Sequence, residues 1–193
     1  PQNVRDAVWR RIRRLGPDTQ TLLRQASVWG LAFRLDDLQA MSGLSRWEAL
    51  EHLDMALERE LVQEVHGDSM LRFSHSEIQD VIYVDIGRWR RLLHRQAGEA
   101  LERRAGAAPE CMAGELAYHF SEAEELEKAL GYSFQAACHA AATRANPVAR
   151  LWYNRALDIF GRLGPTKAVE FQSLWLSVHE SLAAVLALMG QYD

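Results

Sequence analysis

Apolar residues recur every three to four positions along most of this chain, the pattern of helices that each bury one stripe. Val4, Val8, Ile12 and Leu15 predict a first helix that stops at Gly16-Pro17. A second helix, capped by Asp18 or Thr19, carries Leu22, Leu23, Ala26 and Val28 toward a core. Phe33 and Leu35 follow, Asp36-Asp37 opens a short helix through Met41, and Gly43 breaks it. Ser45, with Glu48 three residues on, has the spacing of a capping box, in which each residue's side chain bonds the other's backbone N–H. The helix behind it runs to about Arg59 and is expected to bury Trp47, Leu50, Leu53, Met55 and Leu57.

The period then changes. Leu61, Val62 and Val65 lead into a turn at His66-Gly67-Asp68-Ser69, and Leu71 and Phe73 alternate with polar neighbours beyond it. This is the only strand signal, and it predicts a β-hairpin. A short helix, a tight turn, a second helix and a hairpin follow one another in the order of a winged helix, with Trp47 and Phe73 expected to anchor its core. Ile78, Val81, Ile82 and Ile86 then mark a helix from Ser76 to Gly87. A longer one spans Arg88 to Arg104, with Leu92, Leu93, Ala97 and Leu101 as its apolar stripe.

The stretch from Ala105 to Pro109 is small and flexible, and it suggests a boundary between a winged-helix domain over 1–105 and a second domain over 106–193. Beyond it the apolar positions turn to alanine, interleaved with aromatics such as Tyr118, Phe120, Tyr132, Phe134, Trp152 and Tyr153. Small residues let helices approach while rings fill the gaps, as in stacked helical hairpins. Helices are expected near 110–123, 126–144, 147–162 and 167–189. The fold class is therefore mainly α: a winged helix with a small β-hairpin, followed by stacked antiparallel helical hairpins.

Composition narrows the function. The 193 residues are 48% hydrophobic and 25% charged, ordinary for a globular chain, and the net charge of −4 gives no reason to expect a polyanion partner. Residues 1–105 carry 16 arginines against 16 acids, whereas 106–193 carry 6 basic and 10 acidic residues, so the excess negative charge lies in the second half. The acidic run Glu122 to Glu127 reads as a solvated turn. No run of about 18 apolar residues could span a membrane. The arginine-rich start lacks the apolar core of a signal peptide, so a cytoplasmic protein is expected. Cys111 and Cys138 lack metal-ligand spacing and read as small buried hydrophobes rather than a disulfide. Pro1 and the break after Tyr192-Asp193 suggest a piece of a longer protein.

Two stretches resemble known families. Residues 127–132 (Glu-Lys-Ala-Leu-Gly-Tyr) and 149–157 (Ala-Arg-Leu-Trp-Tyr-Asn-Arg-Ala-Leu) resemble tetratricopeptide helices. The segment Leu71-Arg72-Phe73-Ser74-His75-Ser76-Glu77-Ile78, with the basic helix Arg88-Trp89-Arg90-Arg91, is similar to the region behind the winged-helix hairpin of bacterial STAND signal-transduction ATPases. The large transcriptional activators and the cyclase-associated ATPases belong to that group. The resemblance covers about Val4 to Phe160. It implies a nucleotide-binding domain upstream, on which the winged helix packs, and helical repeats that bind a protein partner or sense a signal. It implies that any ATP or ADP is held by the full-length protein and that His75, matching the histidine of the family's Met-His-Asp motif, faces the ADP phosphate. Here Ser74 and Ser76 replace the flanking Met and Asp. A plainer reading of His75 is a residue that caps the following helix or lies half buried against the wing.

Other chemistry has little support. The helix from Ser45 to Arg59 would be the DNA-reading element, but two arginines against four acids leave it at −2 beside a line of phosphates, so DNA is not expected to bind there. Arg10, Arg11, Arg13 and Arg14 form one basic group. Arg88, Arg90, Arg91, Arg95, Arg103 and Arg104 form another, read either as a solvated face paired with Glu99 and Glu102 or as a docking face for an acidic domain or nucleic acid. The chain has no Gly-rich Lys-Ser/Thr loop, no His-Glu-x-x-His and no Gly-x-Ser-x-Gly, and its histidines form no ligand cluster. The reading is a non-catalytic regulatory segment without a metal site. A DNA-binding winged-helix regulator and a tetratricopeptide adaptor without a nucleotide domain are the alternatives.

Overall fold

The computed structural model describes residues 2–65, 70–106 and 108–190, and they form eleven α-helices and one three-stranded sheet. The chain divides into two compact units, Pro1–Ala100 and Leu101–Asp193. The division falls inside a helix, a few residues ahead of the small-residue stretch at 105–109, of which Ala107 lies outside the described residues.

In the first unit, α1 (Gln2–Ile12) contributes Val8 and Ile12 to the core, and Leu15 is buried just past its end. α2 (Pro17–Ser27) starts on Gly16, with no capping side chain. Proline needs no N–H partner in a first turn and its fixed φ suits one. Neither Asp18 nor Thr19 is therefore the cap, and Thr19 is buried instead.

A strand that alternation could not reveal follows. β1 (Ala32–Arg34) is only three residues long, and it pairs antiparallel with β3 (Met70–Phe73), which pairs on its other side with β2 (Val62–Val65). The expected hairpin is thus two-thirds of a sheet of order β1-β3-β2, with Phe33 opposite Leu71 and Val62 opposite Phe73. The buried rings of Phe33 and Phe73 meet at 5.5 Å between centroids. The turn expected at His66 to Ser69 lies outside the described residues.

Between β1 and β2 run α3 (Leu35–Ser42), closed by Gly43 at φ 73°, and α4 (Arg46–Glu58). The capping box forms as expected: Ser45 Oγ accepts from the Glu48 N–H at 3.3 Å, and the Ser45 N–H donates to Glu48 Oε2 at 2.8 Å. The buried stripe of α4 is Ala49, Leu53 and Ala56. Trp47 is not a core residue, being 77% exposed; Met55 is exposed as well. At ~100° per residue, Trp47 lies ~200° around the helix from Ala49, so it cannot share that stripe. Phe73, the other expected anchor, is fully buried.

α5 (Ser76–Asp85) buries Ile78, Val81 and Ile82. A 3-10 turn (Gly87–Trp89) leads into α6 (Arg90–Ala105). Within α6 the inward positions are His94, Ala97 and Leu101, while Leu92, expected in the stripe, is 44% exposed. It sits two residues from His94 and hence faces away.

The second unit holds α7 (Ala113–Glu122), α8 (Leu126–Ala142), α9 (Asn146–Arg162), α10 (Pro165–Glu170) and α11 (Gln172–Met189). α7 packs on α8, α8 on α9, and α9 on α11. The helix expected over 167–189 is two pieces that meet at Phe171. Small residues bring the helices together as the composition suggested: Ala113, Ala117, Ala129, Ala137, Ala149 and Ala156 are fully buried. Gly114 is pressed so close to Trp152 that a Cβ there would lie 2.9 Å from the indole ring. The cysteines depart from expectation. Both Cys111 and Cys138 are free thiols, and both are exposed.

Three helices end alike and without glycine. Glu60, Glu124 and Arg144 hold left-handed conformations at φ 52°, 60° and 60°. In each, the next N–H reaches back to the helix: Leu61 to the Ala56 carbonyl at 3.0 Å, Glu125 to Phe120 at 2.9 Å, Ala145 to Ala140 at 2.8 Å. These are Schellman closures, which satisfy carbonyls that a helix end leaves open.

Candidate functional site

His75 stands where β3 hands over to α5. Its backbone is extended (φ −141°, ψ 146°), it occupies the N-cap position, and its side chain is exposed and makes no capping hydrogen bond. Its carbonyl accepts from the Ile78 N–H at 3.1 Å, so the backbone starts the helix and leaves the imidazole uncommitted to the cap. Ser74 beside it is buried, and its Oγ has no hydrogen-bond partner among the described residues. Ser76 faces Glu77, 3.3 Å from Oγ to Oε2.

The second feature is a basic and aromatic face at the start of α6. Arg88, Trp89, Arg90, Arg91, Leu92 and Arg95 are all exposed. The Arg88 guanidinium lies 5.0 Å from the centre of the Trp89 ring, and that of Arg90 lies 4.9 Å from Tyr83. Of the carboxylates proposed as partners, Glu99 meets Arg95 at 3.7 Å. Glu102 instead takes Lys128 at 2.8 Å and the Tyr132 hydroxyl at 2.8 Å. Burial first, and then the Glu102 carboxylate, push the Tyr132 phenol up to about 12. Beneath the α6 face a hollow of about 220 Å³ is lined by Thr21, Arg24, Gln25, Ile86, Trp89, Leu92 and Leu93. Arg24 in its lining pairs with Asp85 at 3.2 Å.

Sequence reasoning missed two groups here. Trp47 was assigned to the core, yet with Met55 it lies among the exposed acids Glu48, Glu51, Asp54 and Glu58 on the outer side of α4. The i, i+4, i+7 spacing of Ala49, Leu53 and Ala56 was the signal that would have placed it outside. His94 was counted among scattered histidines. It is fully buried, 2.9 Å from the Tyr83 hydroxyl, and burial followed by the Arg90 charge drives its pKa down to about 4.

The second unit has a groove of about 570 Å³ between α9 and α11. Val148, Leu151 and Leu186, all exposed, make it apolar, and Arg150 and Asn154 add a guanidinium and an amide. Such a surface suits a partner with apolar side chains and a carboxylate or carbonyl within reach.

Among the described residues no cluster of His, Cys, Asp or Glu could hold a metal ion, and no helix is long and apolar enough to cross a membrane. Comparison with protein-family models, with curated proteins and with solved structures finds no match.

Proposed function

We propose that this chain is a non-catalytic regulatory region of a STAND-type signal-transduction ATPase. In this reading the first unit is a winged helix that packs on an upstream nucleotide-binding domain. The second unit is tetratricopeptide-like and holds a protein partner in the groove of α9 and α11. The observation that carries the proposal is the setting of His75: exposed, at the strand-to-helix junction, with an imidazole not used to cap α5. A side chain so placed is available to donate to a phosphate oxygen brought by another domain. This chain offers that one group and no phosphate-cradling loop, so the nucleotide would be held elsewhere. The succession of β1, α3, α4, β2 and β3, with strand order β1-β3-β2, supports the winged-helix assignment.

The test is ADP affinity of the full-length protein with His75→Ala. A loss of about tenfold is expected from one charge-assisted hydrogen bond. Unchanged affinity would remove the nucleotide-sensing role. The DNA-binding alternative meets an exposed α4 face bearing Glu48, Glu51, Asp54 and Glu58, which repels phosphates. Retention of a short duplex by the chain in a low-salt gel shift would favour that alternative instead.

A further inference from the structure

Two exposed helix faces of the first unit are chemical complements. On α4, Glu51, Asp54 and Glu58 lie three and four residues apart, beside Trp47 at 77% exposure and Met55 at 40%. Leading into and along α6, Arg88, Arg91 and Arg95 have the same spacing, beside Trp89 at 53% exposure and Leu92 at 44%. Each face has an apolar half that water covers; the charged half is acidic on α4 and mainly basic on α6, where Arg95 also meets Glu99 at 3.7 Å. Their exposure shows that they do not cover each other within one molecule.

We infer that a second copy of this chain docks its α4 face onto the α6 face of the first. Trp47 of one copy enters the hollow beside Trp89, Leu92 and Ile86, and the α4 carboxylates meet the α6 arginines. A volume of about 220 Å³ is on the scale of one large side chain, and Ile86, Trp89, Leu92 and Leu93 make its lining mostly apolar beside Thr21, Arg24 and Gln25. Trp and Arg are the residues that carry most interface energy when they sit in such a pocket. Opposite charges at matched spacing steer the encounter and set the register. A duplex satisfies only half of the α6 face, because its bases are stacked within it and its phosphates leave Trp89 and Leu92 without an apolar partner, and it is repelled by the α4 face. A contact between different faces of like copies either closes reciprocally in a two-fold pair or continues as a chain. The inference stands without the nucleotide domain of the preceding section.

Sedimentation of the 193-residue chain at low and high salt tests this. The wild type is expected to form species larger than a monomer, shifting toward monomer as salt screens the charged pairs. Trp47→Ala, at an exposed position that leaves the core intact, should weaken association roughly thirtyfold or more. Arg91→Glu with Trp89→Ala should do the same from the other side. The decisive arm mixes the two at a concentration where each variant alone is monomeric: one keeps an intact α6 face and the other an intact α4 face, so an equimolar mixture forms a one-to-one complex. A monomeric wild type at all concentrations, a Trp47→Ala chain that associates as tightly as the wild type, or a mixture that stays monomeric would each overturn the inference. A monomeric wild type that retains a short duplex through Trp89 and Arg91 would assign the α6 face to nucleic acid.

Discussion

The Tyr83 hydroxyl lies 2.9 Å from Nε2 of His94, and the two rings meet edge-on at 5.8 Å, closing the junction between α5 and α6. Burial drives the His94 pKa down to about 4, with the Arg90 guanidinium adding to the effect. A histidine held neutral in the fold but free to ionise when unfolded stabilises the chain fully above pH ~6.5. That contribution drains away as the pH falls toward 4. Unfolding free energy should therefore drop by about 3 kcal/mol more in the wild type than in His94→Gln between these two values. Denaturant melts at pH 7, 5.5 and 4 measure it, and parallel curves for the two proteins would show that His94 ionises as freely in the fold as outside it.

Phe73 and Trp47 separate core from surface. Phe73→Ala removes a fully buried ring tilted against that of Phe33 and should cost ~3–5 kcal/mol. Trp47→Ala takes away a side chain that is largely in water in the monomer and, at concentrations where the chain is monomeric, should change stability by less than ~0.5 kcal/mol. Thermal melts of the two variants give the comparison, and equal losses would mean that the α4 orientation is wrong.

Gly114 admits the Trp152 ring to the backbone of α7. In Gly114→Ala the new methyl would sit 2.9 Å from the ring, so α7 or the indole must move. Overpacking of this kind costs about 1–3 kcal/mol, offset in part by alanine's better helix propensity. Gly114→Ala paired with Trp152→Leu should recover most of the loss, and a double variant no better than the single one would rule out this contact as the cause.

Arg144 and Glu124 end their helices in a conformation that suits glycine. Replacing either by glycine relieves the clash of Cβ in the left-handed region, at the expense of a more flexible unfolded chain. The balance should favour Arg144→Gly by ~0.5–1 kcal/mol. A chemical melt reads the sign directly.

Ser74 gives a fifth stability test. Its buried hydroxyl lacks a partner among the described residues, so Ser74→Ala should be neutral or stabilising by up to ~1 kcal/mol. A clear loss on denaturant titration would reveal a bond that the hydroxyl makes after all.

Helix order was legible in the sequence because the period of the apolar residues is a long-range signal, repeated over many turns. The start of α4 was legible for a different reason: Ser45 and Glu48, three residues apart, settle it between themselves. What stayed hidden depends on tertiary partners. β1 is three residues long and becomes a strand only because β3 offers an open edge. Trp47 was misplaced because hydrophobic character was weighed above angular position. The burial of His94 follows from α5 and α6 meeting at Tyr83, which no local pattern encodes. His75 could be placed at a strand-to-helix junction, but its exposure and freedom from capping were visible only in three dimensions.

α4 is closed at its start by the capping box and at its end by the Leu61 and Glu60 bonds to Ala56 and Leu57, while its inward contacts come from Ala49, Leu53 and Ala56, with Leu50 and Leu57 half-buried beside them. Everything that makes it a helix is thus settled without its outer residues. Selection can exchange Trp47, Glu51, Asp54, Met55 and Glu58 for other helix-forming residues at little cost to folding. The outer row is a changeable label on a fixed mount, and lineages that share this scaffold could diverge in whom they bind long before they diverge in shape.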